Sequence, residues 1–223
     1  MNERIRKLTE LTLKGEMYAH PTKTEYDRED LFLSRQQRES KQLCQFILNQ
    51  QPVLTEYSKM TGFFNTDSSV VGDAFRRRGH AAFAKLKDDF YCKPVDNLST
   101  FEWQHATADY QKVLDKGIRG ILEEIDESLK KHADAEEEEF LYALKRVANA
   151  MIGWAHKCSG KALALSETVK NREYKKNLQI LSKALQNVPE NKPNSFYEAV
   201  LTIYICFSAD PDSCNISISQ SGN

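Results

Sequence analysis

Residues 135–158, AEEEEFLYALKRVANAMIGWAHKC, decide the fold class of this chain. Apolar side chains recur in this stretch at steps of four and three, the spacing that places them on one side of an α-helix. Four glutamates at 136–139 precede them in the first turn, where free N–H groups and the helix dipole favour carboxylates. We interpret this acidic run as solvated and capping. A long helix is predicted from about Ala135, with these inward positions: Phe140, Leu144, Val147, Met151, Trp154 and Cys158.

The same period continues on both sides of this stretch, and strand patterns are nearly absent. A first helix is predicted to end near Gly15, a second to close at Pro52, and a third to cover about 73–86. Ser195, followed by Glu198 three residues later, has the pattern of a capping box that opens the last helix. The sequence therefore predicts a mainly α fold, with the remaining inward positions as follows: Ile5, Leu8 and Leu11; Leu43, Phe46 and Ile47; Leu114, Ile118, Ile121, Ile125 and Leu129; Leu178, Leu181, Leu185 and Val188; Phe196, Val200, Ile203 and Phe207.

Composition excludes several classes of partner. The formal net charge of −1 gives no electrostatic basis for binding nucleic acid or an anionic membrane surface. No run of about 18 apolar residues predicts a membrane span, and the charged start lacks the apolar core of a secretory signal. The five cysteines are widely scattered, which favours reduced thiols and a cytoplasmic location.

A search for catalytic and ligand-binding motifs finds none that is complete. The chain has no phosphate-binding loop, Cys-x-x-Cys, His-Glu-x-x-His or Gly-x-Ser-x-Gly. His156 and Cys158 are two residues apart on a predicted helix and should point to different sides, so neither a nucleophile pair nor a metal site is expected. Gly117 and Gly120 are interpreted as allowing close helix packing, and Arg76–Arg78 as a solvated turn. We therefore expect no cofactor or metal in this chain.

Six short segments form a pattern through their order along the chain. They are Thr24-Glu25-Tyr26, His105-Ala106-Thr107-Ala108-Asp109-Tyr110, Lys116-Gly117-Ile118-Arg119-Gly120-Ile121, Asn187-Val188-Pro189-Glu190-Asn191-Lys192-Pro193, Ser195-Phe196-Tyr197-Glu198-Ala199-Val200 and Ala209-Asp210-Pro211-Asp212-Ser213. From about Asn2 to Ser213 the chain resembles the glycyl radical enzymes of the pyruvate formate-lyase type, and most of all their diol dehydratase-like branch.

The resemblance implies a helical N-terminal layer of an α/β barrel enzyme, with the barrel itself largely absent from this chain. Residues 1–213 would form that helical part and residues 214–223 a disordered tail. Full-length members use a glycyl radical, installed by an activating enzyme with S-adenosylmethionine and an iron–sulfur cluster, and a cysteine thiyl. Neither the cysteine loop nor the glycine loop occurs here, so no catalytic residue is assigned. We hypothesise that a frameshift or premature stop near Ser213 shortened a longer reading frame.

One side chain receives a site role by resemblance. His105 heads the His-x-x-x-Asp-Tyr segment, which brings a histidine near the substrate in dehydratase-like members; alternatively, His105 only fixes its loop by hydrogen bonds. Asp109 and Tyr110 are expected to start the next helix.

The function predicted is that of an N-terminal fragment of the formate C-acetyltransferase, dehydratase and lyase superfamily of anaerobic metabolism, inactive alone. The partners expected are a small-molecule substrate in the intact enzyme, and further copies of the chain through exposed helix faces. The alternative is a free-standing helical interaction protein that binds a radical enzyme or its activator. A third reading, a small enzyme with an unrelated site, would need a cluster of titratable residues that the sequence does not show.

Overall fold

The computed structural model describes residues 2–17, 28–61, 109–131 and 134–209. All of them belong to one compact unit, built from residues 1–64 and 109–209. The predicted helix at 73–86, the arm at 24–26, Arg76–Arg78, His105 and the tail at 214–223 lie outside the described residues.

The described part of the chain is α-helical and contains no strand, which confirms the mainly α prediction. None of its helices is apolar over a length that could cross a membrane. A short 3-10 helix covers Arg28–Phe32, and the six α-helices are α1 Glu3–Leu13, α2 Arg35–Asn49, α3 Tyr110–Lys130, α4 Ala135–Thr168, α5 Arg172–Asn187 and α6 Phe196–Ala209.

Local side chains explain where the helices begin. The Asp134 side chain accepts hydrogen bonds from the N–H groups of Glu136 and Glu137, and the Glu137 carboxylate accepts one from the Asp134 N–H, a complete capping box. This confirms the predicted start of α4 and the capping role of its acidic run. The capping box predicted at Ser195 is half formed: Ser195 accepts from the Glu198 N–H at 3.2 Å. The Glu198 carboxylate instead accepts from the N–H of Asn194 at 2.7 Å.

Helix α4 is the spine on which the other helices pack. Arg146 donates to Ser40 Oγ at 3.1 Å and Lys157 donates to the Gln50 carbonyl at 2.7 Å, so α2 runs parallel to α4. Ser159 Oγ donates to the Ser182 carbonyl at 2.8 Å, and α5 returns antiparallel along the second half of α4. Small side chains line the buried side of the spine and let the neighbouring backbones approach: Ala143, Ala150, Ala155, Ala162, Ser159 and Ser166.

The predicted buried face of α5 is confirmed, whereas that of α4 is half wrong. Leu178, Leu181 and Leu185 are completely buried. On α4, Trp154 and Cys158 are buried as predicted, but Phe140 and Leu144 are 51% and 41% exposed. The physical reason is length, since α5 has 16 residues and covers only the second half of the 34-residue α4.

The predicted buried face of α6 is wrong at Phe196. Phe196 is 86% exposed, while Leu201 and Ile205 are completely buried. Helix α6 is apolar on nearly every side, so its periodicity does not select a face, and the neighbouring helices decide which side is covered.

Residues 50–61 join three helices without forming one themselves. Arg4 Nε donates to the Tyr57 carbonyl at 2.8 Å, which ties the segment to α1. The Tyr57 ring meets Tyr174 of α5 edge to face at 5.1 Å between centroids, and the Tyr197 hydroxyl of α6 donates to the Lys59 carbonyl. Burial raises the pKa of Tyr197 to about 12, so this hydroxyl keeps its proton and remains a donor.

Candidate functional site

Helix α3 is broken at Gly117, the centre of a segment that the sequence analysis singled out. Gly117 has φ 67° and ψ 174°, a backbone conformation that is essentially restricted to glycine. A Cβ built there would lie 2.5 Å from the Asn191 carbonyl carbon and 2.6 Å from the Glu190 carbonyl oxygen. Glycine is therefore required at this position for two independent reasons, its dihedral angles and the close approach of another backbone.

The break leaves N–H groups of α3 without partners in the helix, and carbonyl groups of the loop between α5 and α6 accept hydrogen bonds from them. The N–H groups of Ile118 and Arg119 have no acceptor one turn earlier, because the helix restarts there. They donate instead to the carbonyls of Pro189 and Glu190, at 2.9 and 2.8 Å. We call these contacts, with the side chains described next, the Gly117 junction. It joins the Lys116–Ile121 and Asn187–Pro193 segments.

An arginine and a histidine converge on Glu190 in this junction. Arg119 of α3 forms an ion pair with one carboxylate oxygen, and His156 Nε2 of α4 lies 3.0 Å from the other. The Glu190 side chain is only 14% exposed, whereas its partners reach in from solvent. Glu190 thereby ties α3, α4 and the α5–α6 loop together at one carboxylate.

A second carboxylate spans the break on the outer side of α3. Glu124 binds Lys112 at 2.6 Å and also Lys116, so both lysines lie before Gly117 and their partner after it. The hydrogen bond from Lys112, followed by that from Lys116, lowers the pKa of Glu124 to about 2. The two halves of α3 are thus held in line by charge although their backbone ladder is interrupted.

The contacts of this arrangement hold the helices together. Its acidic, basic and imidazole groups are all engaged with one another. Within the described ranges, no group of three or more His, Cys, Asp or Glu side chains could hold a metal ion. His156 is half exposed and pairs with Glu190 while Cys158 is completely buried, which confirms that the two point to different sides of α4.

Burial disfavours a thiolate at each of the described cysteines. Burial raises the pKa of Cys44 to about 11 and that of Cys206 to about 12, and raises that of Cys158 further. A thiol with a raised pKa is a poor nucleophile and metal ligand near neutral pH. The three side chains are part of the packing of the unit.

The residues predicted for the site stand as follows. His105 lies outside the described residues, so its role stays a prediction. Asp109 caps α3 by accepting from the Lys112 N–H at 3.1 Å, which confirms that Asp109 and Tyr110 start this helix. The interpretation of Gly117 as a site of helix packing needs correction, because Gly117 approaches the backbone of a loop; at Gly120 the atoms nearest to an added Cβ are those of Lys116 in the same helix.

The sequence analysis missed the grouping of Arg119, His156 and Glu190. Arg119 and Glu190 both stand inside segments quoted for their order along the chain, and that was the available signal. Their contact spans 71 residues, and no local pattern specifies it.

Comparison with known proteins places this chain in a family. A family model described as pyruvate formate lyase-like matches residues 87–213, more than half of the chain. Isethionate sulfite-lyase of Oleidesulfovibrio alaskensis is 34% identical over 122 residues, which cover 52% of this chain and 14% of that protein. Isethionate sulfite-lyase of Nitratidesulfovibrio vulgaris is 33% identical over 111 residues, covering 46% and 13%. The matched region is thus about a seventh of the length of these relatives.

Solved structures extend the likeness to nearly the whole chain. The B12-independent glycerol dehydratase of Clostridium butyricum superposes with a TM-score of 0.69 at 19% identity, covering 96% of this chain and 34% of that one. Hydroxyproline dehydratase of Clostridioides difficile gives a TM-score of 0.62 at 14% identity, with the same two coverages. At these identities the likeness shows the fold alone, and the chain spans about a third of either enzyme. From the family match over residues 87–213 we conclude that this chain belongs to the pyruvate formate lyase-like family of glycyl radical enzymes.

Proposed function

We propose that this chain is the helical N-terminal part of a glycyl radical lyase or dehydratase, and that it has no catalytic activity alone. The family match over residues 87–213 carries the proposal. In the intact enzyme the radical glycine and the thiyl cysteine would lie in polypeptide beyond the matched third. The protein would act in the cytoplasm, in anaerobic metabolism.

The relatives' names support elimination rather than acyl transfer as the reaction class. They are an isethionate sulfite-lyase, a glycerol dehydratase and a hydroxyproline dehydratase, and each name describes removal of a small group from a hydroxylated molecule. We therefore propose a small hydroxylated compound as the substrate of the intact enzyme. His105 remains the one residue of this chain that we propose to contact it.

The Gly117 junction supports a positioning role for the helical part. It fixes the loop that leads into α6 through two backbone hydrogen bonds and the largely covered Glu190 carboxylate. A radical enzyme needs its reacting groups held in register and shielded from water, and a rigid outer layer serves both needs.

Exposed apolar side chains favour the second candidate, a free-standing interaction protein. Phe140 is 51% exposed and Phe196 is 86% exposed, and a partner's surface would remove these rings from water. In this reading the same helices would bind a partner, such as a radical enzyme or its activator.

The experiment compares the chain with the reading frame that follows it. The coding sequence downstream of Asn223 is determined in all three frames. Two proteins are then purified without oxygen: the chain alone, and the longest protein that results when the chain is joined to a downstream frame (the restored frame). Each is treated with an activating enzyme and S-adenosylmethionine, and given isethionate, glycerol or trans-4-hydroxyproline. We expect substrate consumption by the restored frame and none by the chain alone, with the Clostridium butyricum dehydratase as the positive control.

Two results would contradict the proposal. Turnover by the chain alone would show that it carries its own active site. A downstream sequence without the cysteine and glycine loops in any frame would remove the longer enzyme and leave the interaction protein as the reading to pursue.

A further inference from the structure

The outer face of α5 carries a line of positive charges. Arg172, Lys176 and Lys183 are spaced by four and seven residues, so they follow one line along the helix. All three side chains are exposed. The three completely buried leucines of α5 lie on the opposite side of the helix, so this line points to solvent. We call these three residues the cationic row.

The cationic row has no neutralising partner in the part of the chain that the structure describes. None of its three members forms an ion pair there. Glu173 is the one acidic residue of α5, and it pairs with none of them. The surroundings are also basic, because seven lysines or arginines but only two glutamates occur between positions 157 and 183. The chain therefore has a strongly basic surface although its formal net charge is −1.

The stability of α5 does not explain these charges. The first turn of a helix favours carboxylates, and α1 and α4 follow this preference with Glu3 and Glu136. Helix α5 has Glu173 in that turn, yet its first residue is Arg172, where the helix dipole disfavours a cation. Lys176 follows four residues later, and like charges at this spacing repel each other. Carboxylates from another molecule would relieve both effects.

An apolar side chain lies beside the cationic row. Ile180 is 47% exposed. It follows Lys176 by four residues and precedes Lys183 by three, so it is adjacent to both on the helix surface. A complementary surface therefore has carboxylates at both ends and an apolar group between them.

This composition favours an acidic polypeptide over nucleic acid. A phosphate backbone supplies negative charge but no apolar group that could cover Ile180. The one aromatic ring of α5, that of Tyr174, packs against Tyr57, so it is not free to stack on a base. An amphipathic helix can present carboxylates and an apolar side chain along one line, at the spacing that the row has.

We propose that the outer face of α5 binds an acidic amphipathic helix of another protein. Carboxylates of that helix pair with Arg172, Lys176 and Lys183, and an apolar side chain covers Ile180. The row rises about 17 Å along α5, so the partner helix needs about three turns to reach all of it. This inference goes beyond the proposed function and does not depend on catalysis.

Charge and apolar burial have different roles in this contact. The opposite charges set the register and orientation of the partner helix. Covering Ile180 adds affinity, because apolar surface leaves water. Since the charges are at the surface, salt should weaken binding.

Fluorescence anisotropy of labelled peptides, titrated with the full chain at low and at high salt, tests the proposal. Two helix-forming acidic peptides have the same composition. In the matched peptide, three glutamates repeat the spacing of Arg172, Lys176 and Lys183, and a leucine stands opposite Ile180. In the scrambled peptide, the same residues point to different sides. We expect the matched peptide to bind about tenfold more tightly at low salt, the preference that three exposed ion pairs supply together.

Reversing charges on both molecules gives the decisive result. Lys176→Glu with Lys183→Glu should remove the preference for the matched peptide. A swapped peptide carries lysines in place of the two glutamates that face these positions. It should bind this variant about tenfold more tightly than it binds the parent chain.

The matched control is Lys161→Glu with Lys170→Glu, which makes the same change in charge at exposed positions outside α5. It should keep the preference for the matched peptide. The proposal is overturned if the two acidic peptides bind the parent chain equally, if the control loses the preference, or if the swapped peptide restores nothing. It is also overturned if a short duplex DNA binds this face more tightly than the matched peptide, which would assign the face to nucleic acid. Circular dichroism of each variant separates loss of binding from loss of folding.

Discussion

Replacing Gly117 by alanine should destabilise the unit strongly, because two separate constraints act at this residue. The dihedral angles φ 67° and ψ 174° lie in a region that costs a side-chain-bearing residue about 1–3 kcal/mol. The added Cβ would also overlap the backbone of Glu190 and Asn191 at 2.5–2.7 Å. To relieve this overlap the loop must move away from α3.

Movement of the loop accounts for the rest of the predicted decrease in the free energy of unfolding. It breaks the hydrogen bonds from Ile118 and Arg119 to the loop carbonyls, each contributing about 1 kcal/mol. Together with the backbone cost, the free energy of unfolding should fall by about 3–5 kcal/mol. A domain of ordinary stability has about 5–15 kcal/mol in total, so the variant should be near the limit of folding.

Urea unfolding followed by far-ultraviolet circular dichroism measures this loss. Gly160→Ala is the matched control, since Gly160 lies inside α4 with nothing within 4 Å of the added Cβ. It should be neutral or stabilising by up to about 1 kcal/mol. Gly117→Asn adds a discriminating variant: asparagine tolerates the left-handed helical region but not this ψ value, so it should rescue nothing. An alanine variant within about 0.5 kcal/mol of the parent chain would refute the reasoning.

Three further predictions concern charge, packing and thiol chemistry. The pKa of Glu124 is about 2 in the folded chain and ordinarily 4.5, so its stabilising effect is present above about pH 4.5 and lost as the pH falls through about 2. Urea midpoints of the parent chain and Glu124→Gln should therefore differ at neutral pH and converge in acid; a constant difference would contradict this sign. Leu181→Ala, in the completely buried face of α5, should cost about 2–5 kcal/mol, whereas Leu163→Ala, at a site 45% exposed, should cost far less. Equal urea midpoints for those two variants would count against the described core. Cys158 should resist alkylation in the folded chain and react after unfolding, as measured by mass spectrometry of each cysteine peptide; rapid reaction in the folded state would show that the site is open.

Where caps or apolar residues at helical spacing are present, the sequence was sufficient to predict local structure. The start of α4 follows from Asp134 and Glu137, which are close in sequence and satisfy each other's backbone N–H groups. The buried face of α5 follows from Leu178, Leu181 and Leu185, because charged residues occupy its other sides. These are short-range effects, and the residues that cause them are all visible in one turn or one helix.

Features that depend on contact between distant segments were not accessible in this way. The apolar period of α3 passes through Gly117 without interruption, so nothing in it indicates the break; the loop at 189–191 creates it by approaching the backbone. The contacts of Glu190 with Arg119 and His156 likewise join residues far apart in sequence.

The sequence by itself determined the mainly α class, the starts of α3, α4 and α6, and the family resemblance, because caps, periodicity and motif order are local or linear properties of the chain. Tertiary structure alone decided which apolar side chains are covered. Phe140 and Cys158 occupy equivalent sides of α4, yet one is half exposed and the other completely buried. The difference is that α5 is shorter than α4, and burial depends on which neighbour is present at each point along a helix.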